Sequence, residues 1–88
     1  MARSLQVSIV SAEKELWSGE ATQVVAKTLI GEIGLLVGHA PVLGLLAEGG
    51  EVRVQAVEGG TVRVRADDGF LSMQGDVVTV VAGEAELV

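Results

Sequence analysis

Apolar and polar residues alternate along most of this chain. Leu5, Val7 and Ile9 alternate with Gln6 and Ser8. Val52, Val54 and Ala56 alternate with Glu51, Arg53 and Gln55, and Val62, Val64 and Ala66 with Arg63 and Arg65. Successive side chains of a strand point to opposite faces, so each segment predicts a half-buried strand with one wet face. Val77 to Ala82 is apolar except at Thr79, which predicts a short strand buried on both sides. Pro41 to Ala47 predicts a strand or an irregular crossing.

A helical reading fails on both period and composition. Valine is abundant, and its branched Cβ is stiff in a helix. Glycines are spread so evenly that few windows are long enough for one. Turn signals recur about every ten residues, among them Ser18-Gly19, Gly49-Gly50, Gly59-Gly60, Asp68-Gly69 and Gln74-Gly75-Asp76. Together these predict a single all-β domain over residues 1–88, a sandwich or barrel.

One hairpin can be predicted in register. Strands 51–57 and 61–66 both turn even-numbered residues inward, and same-face residues oppose each other across an antiparallel pair. Paired numbers must then sum to an even value, giving a loop of odd length. Glu58-Gly59-Gly60, closed by Val57 opposite Thr61, satisfies this. Gln55 would then face Arg63, and Arg53 would face Arg65.

With 49% apolar residues in 88, the chain can fill one core with little to spare. Cysteine is absent, which excludes disulfides and thiolate metal sites. The apolar stretch from Ile33 to Leu46 is interrupted by Gly34, Gly38, His39, Pro41 and Gly44, so it predicts no membrane span. Met1-Ala2-Arg3-Ser4 leads into an alternating segment without a leader's apolar run, which predicts a cytoplasmic or equivalent reducing compartment. A net charge of −6 with scattered cations disfavours nucleic acid and suits a basic protein partner.

No residue set assembles a reaction centre. His39 is the only histidine and lacks a second metal ligand; it reads as a loop residue. No serine lies in a nucleophile elbow. Gly31-Glu32-Ile33-Gly34 lacks the Gly-Lys-Ser/Thr ending of a phosphate loop, and Glu32 would repel phosphate. Asp67 and Asp68 are adjacent and point apart in a strand, and Asp68-Gly69 reads as a turn. Glu84 and Glu86 share a solvated face. Trp17 and Phe70, the only aromatics, predict core packing, with Trp17 also placed to cap one end of the sandwich or to anchor a partner. A carrier domain biotinylated or lipoylated at Lys14 is a second reading, since such domains are also small, acidic and all-β.

The segment Gly31-Glu32-Ile33-Gly34-Leu35-Leu36-Val37-Gly38-His39-Ala40-Pro41 resembles a signature of the ε subunits of F-type ATP synthases, called δ in mitochondria. The opening Leu5 to Glu13 and the following Leu16-Trp17-Ser18-Gly19 are similar to that family's first strand and turn. Gly69-Phe70-Leu71-Ser72-Met73 and Val78-Thr79-Val80-Val81-Ala82 resemble two later strands. Three motifs in order cover nearly the whole chain. The resemblance implies a flattened antiparallel β-sandwich of about ten short strands. It also implies a non-catalytic rotor subunit, with no cofactor, that links the γ subunit to the c-ring and couples proton translocation to ATP synthesis. Its place would be the cytoplasmic face of the cell membrane, or the equivalent organelle compartment, without membrane insertion. By the same carry-over, a loop of Gly31, Glu32, Ile33 and Gly34 faces the c-ring, where Glu32 could meet a basic residue. His39, Ala40, Pro41 and Val42 face γ. The sequence stops at Leu87-Val88, where most members of the family continue into a helical hairpin, so neither self-inhibition nor nucleotide binding is expected of it.

Overall fold

The computed structural model describes residues 3–88. Seven strands follow one another: β1 (Leu5–Ser11), β2 (Glu15–Thr28), β3 (Gly31–Leu36), β4 (Val42–Leu45), β5 (Gly50–Ala56), β6 (Thr61–Gln74) and β7 (Val77–Leu87). Their hydrogen-bonded order is β1-β7-β6-β5-β2-β3, β1 also pairs with β2, and β4 pairs with β6. The β1–β2 pairing closes five strands into a ring, with β3 and β4 attached outside it. The body is flattened, 37 × 26 × 17 Å. All pairings are antiparallel except β1 with β7, which run parallel. A parallel pair needs a long crossover; here the connection is the rest of the chain.

Two strands reach 14 residues, and this is why seven do the work expected of about ten. Each long strand changes face partway. In β2, Ala21 is buried and then Val24 and Ala26, the switch falling at a register shift between Ala21 and Gln23. In β6, buried Val64 and Ala66 are even-numbered, whereas buried Leu71 and Met73 are odd-numbered. Between them Asp68 adopts a left-handed φ of 53°. So Asp68-Gly69 is a kink inside a continuous strand and not the expected turn. It bends the β6–β7 ladder from one layer of the sandwich to the other without breaking register. Gly69 is required there: an added Cβ would lie 2.3 Å from the Val81 carbonyl oxygen and 2.8 Å from the Ala82 Cα.

The core is aliphatic. Leu5, Ile9, Leu35, Leu71 and Met73 are its largest fully buried side chains, filled in by Val24, Val52, Val54, Val64, Val78 and Val80. The alternation read at β1, β5 and the start of β6 matches the burial, although Val62 is only half-buried. Strand β7 differs from expectation. Val78, Val80 and Ala82 are buried, but Thr79 and Val81 are half-buried and Val77 is exposed, because no second layer covers its outer face.

The β5–β6 hairpin has the predicted parity but not the predicted register. Gln55 pairs with Thr61, Arg53 with Arg63 and Glu51 with Arg65, two residues away from Val57 opposite Thr61. The loop lengthens because the Val57 N–H is used elsewhere, on the Glu20 carbonyl of β2 at 3.0 Å. Gly59 and Gly60 both take positive φ, 90° and 80°, a conformation glycine reaches cheaply.

Candidate docking surface

The Gly31–Gly34 segment is not a loop. It is the first part of β3, which pairs with β2 through Thr28 opposite Gly31, Lys27 opposite Glu32 and Val25 opposite Gly34. Only Leu29 and Ile30 separate the two strands. The Thr28 hydroxyl donates to the Gly31 carbonyl at 2.7 Å and accepts from the Ile30 N–H at 3.3 Å, satisfying the turn locally.

Glu32 belongs to a lattice of opposite charges on the outer face. Its Oε2 lies 3.4 Å from Arg53 Nη2. Arg63 holds Glu51 with two hydrogen bonds, 3.1 Å from Nε and 2.8 Å from Nη2. Arg65 pairs with Glu86 on β7. The like-charge pair Arg53–Arg63 is thus bridged by Glu51, whose Oε1 is 3.8 Å from Arg53 Nε. The hydrogen bonds from Arg63 hold the Glu51 carboxyl below its usual range. These groups are solvent-exposed, so their effect on stability is small and screened by salt.

His39, Ala40 and Pro41 are exposed on the connection between β3 and β4, and Val42 is half-buried. The His39 N–H donates to the Leu36 carbonyl at 3.0 Å, and its Nδ1 lies 2.7 Å from the Ala40 oxygen. The preceding Gly38 N–H donates to Asp76 in the β6–β7 turn at 2.8 Å. That bond, with Arg3 beside it, holds the Asp76 carboxyl below its usual range.

One residue from each of the two surfaces named from the sequence lines a common hollow. Ile33 and Val42 line it together with Leu29, Ile30, Leu43 and Leu45, around a volume of about 270 Å³. Thr28 bridges to Leu46 behind it, and the Leu29 N–H donates to the Leu45 carbonyl at 3.1 Å. His39, Ala40 and Pro41 do not line it.

Sequence reasoning missed the exposed apolar side chains here. Ile30 is 94% exposed and Leu43 77%. Phe70 is not a core residue: it pairs with Leu45 at the outer side of β6 and is 40% exposed. One signal was available. Val42, Leu43, Leu45 and Leu46 are apolar at both parities, which a strand with only one buried face cannot hide. Trp17, by contrast, packs half-buried against the core. Its ring covers Gly19, where an added Cβ would sit 3.1 Å from it.

Among the described residues no group of three or more His, Cys, Asp or Glu could hold a metal, and no helix is long and apolar enough to cross a membrane. What stands out is an edge strand, a charge lattice and an apolar hollow carried on a closed sandwich. That arrangement defines a β-sandwich domain. The model of the family described as ATP synthase, Delta/Epsilon chain, beta-sandwich domain matches residues 4–88, and the chain belongs to that family. It is 47% identical over 83 residues to the ATP synthase epsilon chain of Frankia casuarinae, covering 94% of this chain and 96% of that one. It is 46% identical over 87 residues to that of Streptomyces coelicolor, covering 99% and 69%. Among solved structures, a chain in the Euglena gracilis mitochondrial ATP synthase, OSCP/F1/c-ring, superposes with a TM-score of 0.87 at 21% identity. A chain in the central stalk and c-ring of the Tetrahymena thermophila mitochondrial enzyme gives 0.77 at 12%. The protein covers 99% and 96% of itself in these matches but spans only 55% and 66% of those chains. At such identities the likeness is one of fold. Family membership displaces the carrier-domain reading built on Lys14.

Proposed function

We propose that this chain is a non-catalytic subunit of the central rotor of a proton-translocating ATP synthase, linking γ to the c-ring. The relatives' shared name, ATP synthase epsilon chain, supports the complex. The observation that carries the linking role is the common hollow of Ile33 and Val42. Ile33, from the edge strand assigned to the c-ring, and Val42, from the segment assigned to γ, line the same side of one closed sandwich. Transmitting torque calls for a stiff body, and a closed ring of strands around a dense aliphatic core is stiff. Glu32 meets the c-ring from a strand whose register fixes its position. His39, Ala40, Pro41 and Val42 meet γ, with Pro41 fixing φ where the chain enters β4. The subunit sits peripherally on the cytoplasmic face of the cell membrane, or in the equivalent organelle compartment, without inserting into lipid.

Tagged protein expressed in its source cells should bring down γ and the catalytic head after gentle solubilisation. Recovery of neither, with γ present in the lysate, rules this reading out.

A further inference from the structure

Val37 to Pro41 carry the chain from β3 to β4, and this connection is fastened at two points to the same hairpin, β6–β7. At its far end Val42 pairs with Met73 on β6. Near its start the Gly38 N–H donates to Asp76 Oδ1 at 2.8 Å, in the turn just beyond Met73. The His39 N–H closes a tight turn onto the Leu36 carbonyl at 3.0 Å, and Gly38, third in that turn, takes a left-handed φ of 86°. Such a turn leaves the N–H of its third residue to find a partner elsewhere, and Asp76 supplies it. Between the two fastenings only His39, Ala40 and Pro41 remain, and all three are exposed. Asp76 is itself held. Its second carboxylate oxygen receives Arg3, and its carbonyl accepts the Gln6 N–H at 2.8 Å. Its side chain is only 18% exposed, so water competes little for the bond to Gly38.

We infer that Asp76 is a positioning residue for the surface formed by His39, Ala40 and Pro41: it touches no partner itself, but fixes the backbone that a partner reads. A short span held at both ends loses little freedom on binding, and one held at β4 alone loses more. Arg3 occupies the second oxygen and so turns the first towards Gly38. The inference rests on the rotor reading for the identity of the partner, γ; the hold on Gly38 rests on the geometry alone. Two substitutions separate the hydrogen bond from the charge. Asp76→Gly deletes the acceptor and suits the left-handed φ of 64° at that position. Asp76→Asn keeps one acceptor oxygen, and asparagine also tolerates that φ. The Arg3 side chain is 66% exposed and can turn into water, whereas the Gly38 N–H is fixed by its turn, so the remaining oxygen stays on Gly38.

The experiment uses the full chain in its source cells. A tagged variant and the untagged chain are produced together, and their ratio in the purified complex is compared with their ratio in the lysate, with the tagged wild type as reference. Asp76→Gly should enter the complex roughly fivefold less than the wild type, and Asp76→Asn within about twofold of it. Hydrogen exchange on the isolated chains reads the bond itself: the Gly38 amide should exchange roughly tenfold faster in Asp76→Gly than in the wild type or Asp76→Asn. Entry of Asp76→Gly at the wild-type level overturns the inference, and so does Gly38 exchange that is indifferent to Asp76. An asparagine variant as poor as the glycine one overturns it as well, since the charge and not the bond would then matter. Failure of Asp76→Gly to fold does the same, because Asp76 would then serve the fold and not the surface. Absence of the tagged wild type from the complex defeats the rotor reading instead, and Gly38 exchange still decides whether Asp76 holds the connection.

Discussion

The Gly38 N–H donates to the Asp76 carboxylate at 2.8 Å, tying the turn before β7 to the connection that carries His39, Ala40 and Pro41. Asp76 also receives Arg3, and its own carbonyl accepts the Gln6 N–H at 2.8 Å. One residue thus joins the start of the chain, the β3–β4 connection and the β6–β7 turn. Asp76 holds a left-handed φ of 64°, which asparagine also tolerates.

Asp76→Asn therefore removes the charge while keeping the turn. The folded-state pKa of Asp76 is lowered, so its stabilisation is full above the unfolded value of about 3.9 and is lost as pH falls through the folded value. Urea midpoints measured from pH 7 to pH 2.5 should show the variant less stable at neutral pH. The gap should close as the medium is acidified below about pH 4. A constant gap over the whole range would contradict the assignment.

Gly69→Ala should destabilise the domain by about 1–3 kcal/mol, the usual cost of forcing bulk into a packed site. The added methyl would meet the Val81 carbonyl and the Ala82 backbone, which cannot swing away as a side chain could. Thermal or urea unfolding checks this; Gly75→Ala, where an added Cβ meets nothing within 4 Å, isolates the cost of positive φ alone.

Leu71 and Leu43 are both leucines near β4 and separate folding from docking. Leu71 is fully buried, and Leu71→Ala should cost about 2–5 kcal/mol. Leu43 is exposed, and Leu43→Ala should change the isolated domain's stability by no more than about 0.5 kcal/mol. Measured together, the pair should show Leu43→Ala still weakening recovery of the complex despite intact folding.

Much of this was legible in the residues, for identifiable reasons. The inward set of β1, Leu5, Val7 and Ile9, follows from strict alternation. Parity placed Val52, Val54 and Val64 inside, but parity admits any register with an even sum. The actual one was decided by Glu20 capturing the Val57 N–H, a contact far away in sequence. Asp68-Gly69 looks like any turn dipeptide; only its pairing with β7 reveals a kink that lets one strand serve both layers. The segment from Gly31 to Pro41 was recognisable, yet the grouping of Leu29, Leu45 and Phe70 was not, because Leu45 meets Phe70 through the β4–β6 pairing and Leu29 through a backbone hydrogen bond from the β2–β3 turn. Glu32 could be singled out, but not its partner Arg53, which arrives through β5.

Glu32→Lys would place a third cation beside Lys27 and Arg53. Pro41→Gly would loosen the entry to β4. Each should lower ATP-driven proton pumping in membrane vesicles more than it lowers the melting temperature of the isolated domain. Unchanged pumping in assembled complexes would remove these residues from the coupling surface.

The most direct test of the linking role uses single cysteines at Glu32 and at Ala40 in the assembled complex, with cysteines scanned along the exposed loops of the c subunit and along γ. The account predicts a disulfide from position 32 to c and from position 40 to γ, both formed within one intact complex. Failure of both to form, in complexes that retain this chain, would show that the two faces do not bridge rotor parts.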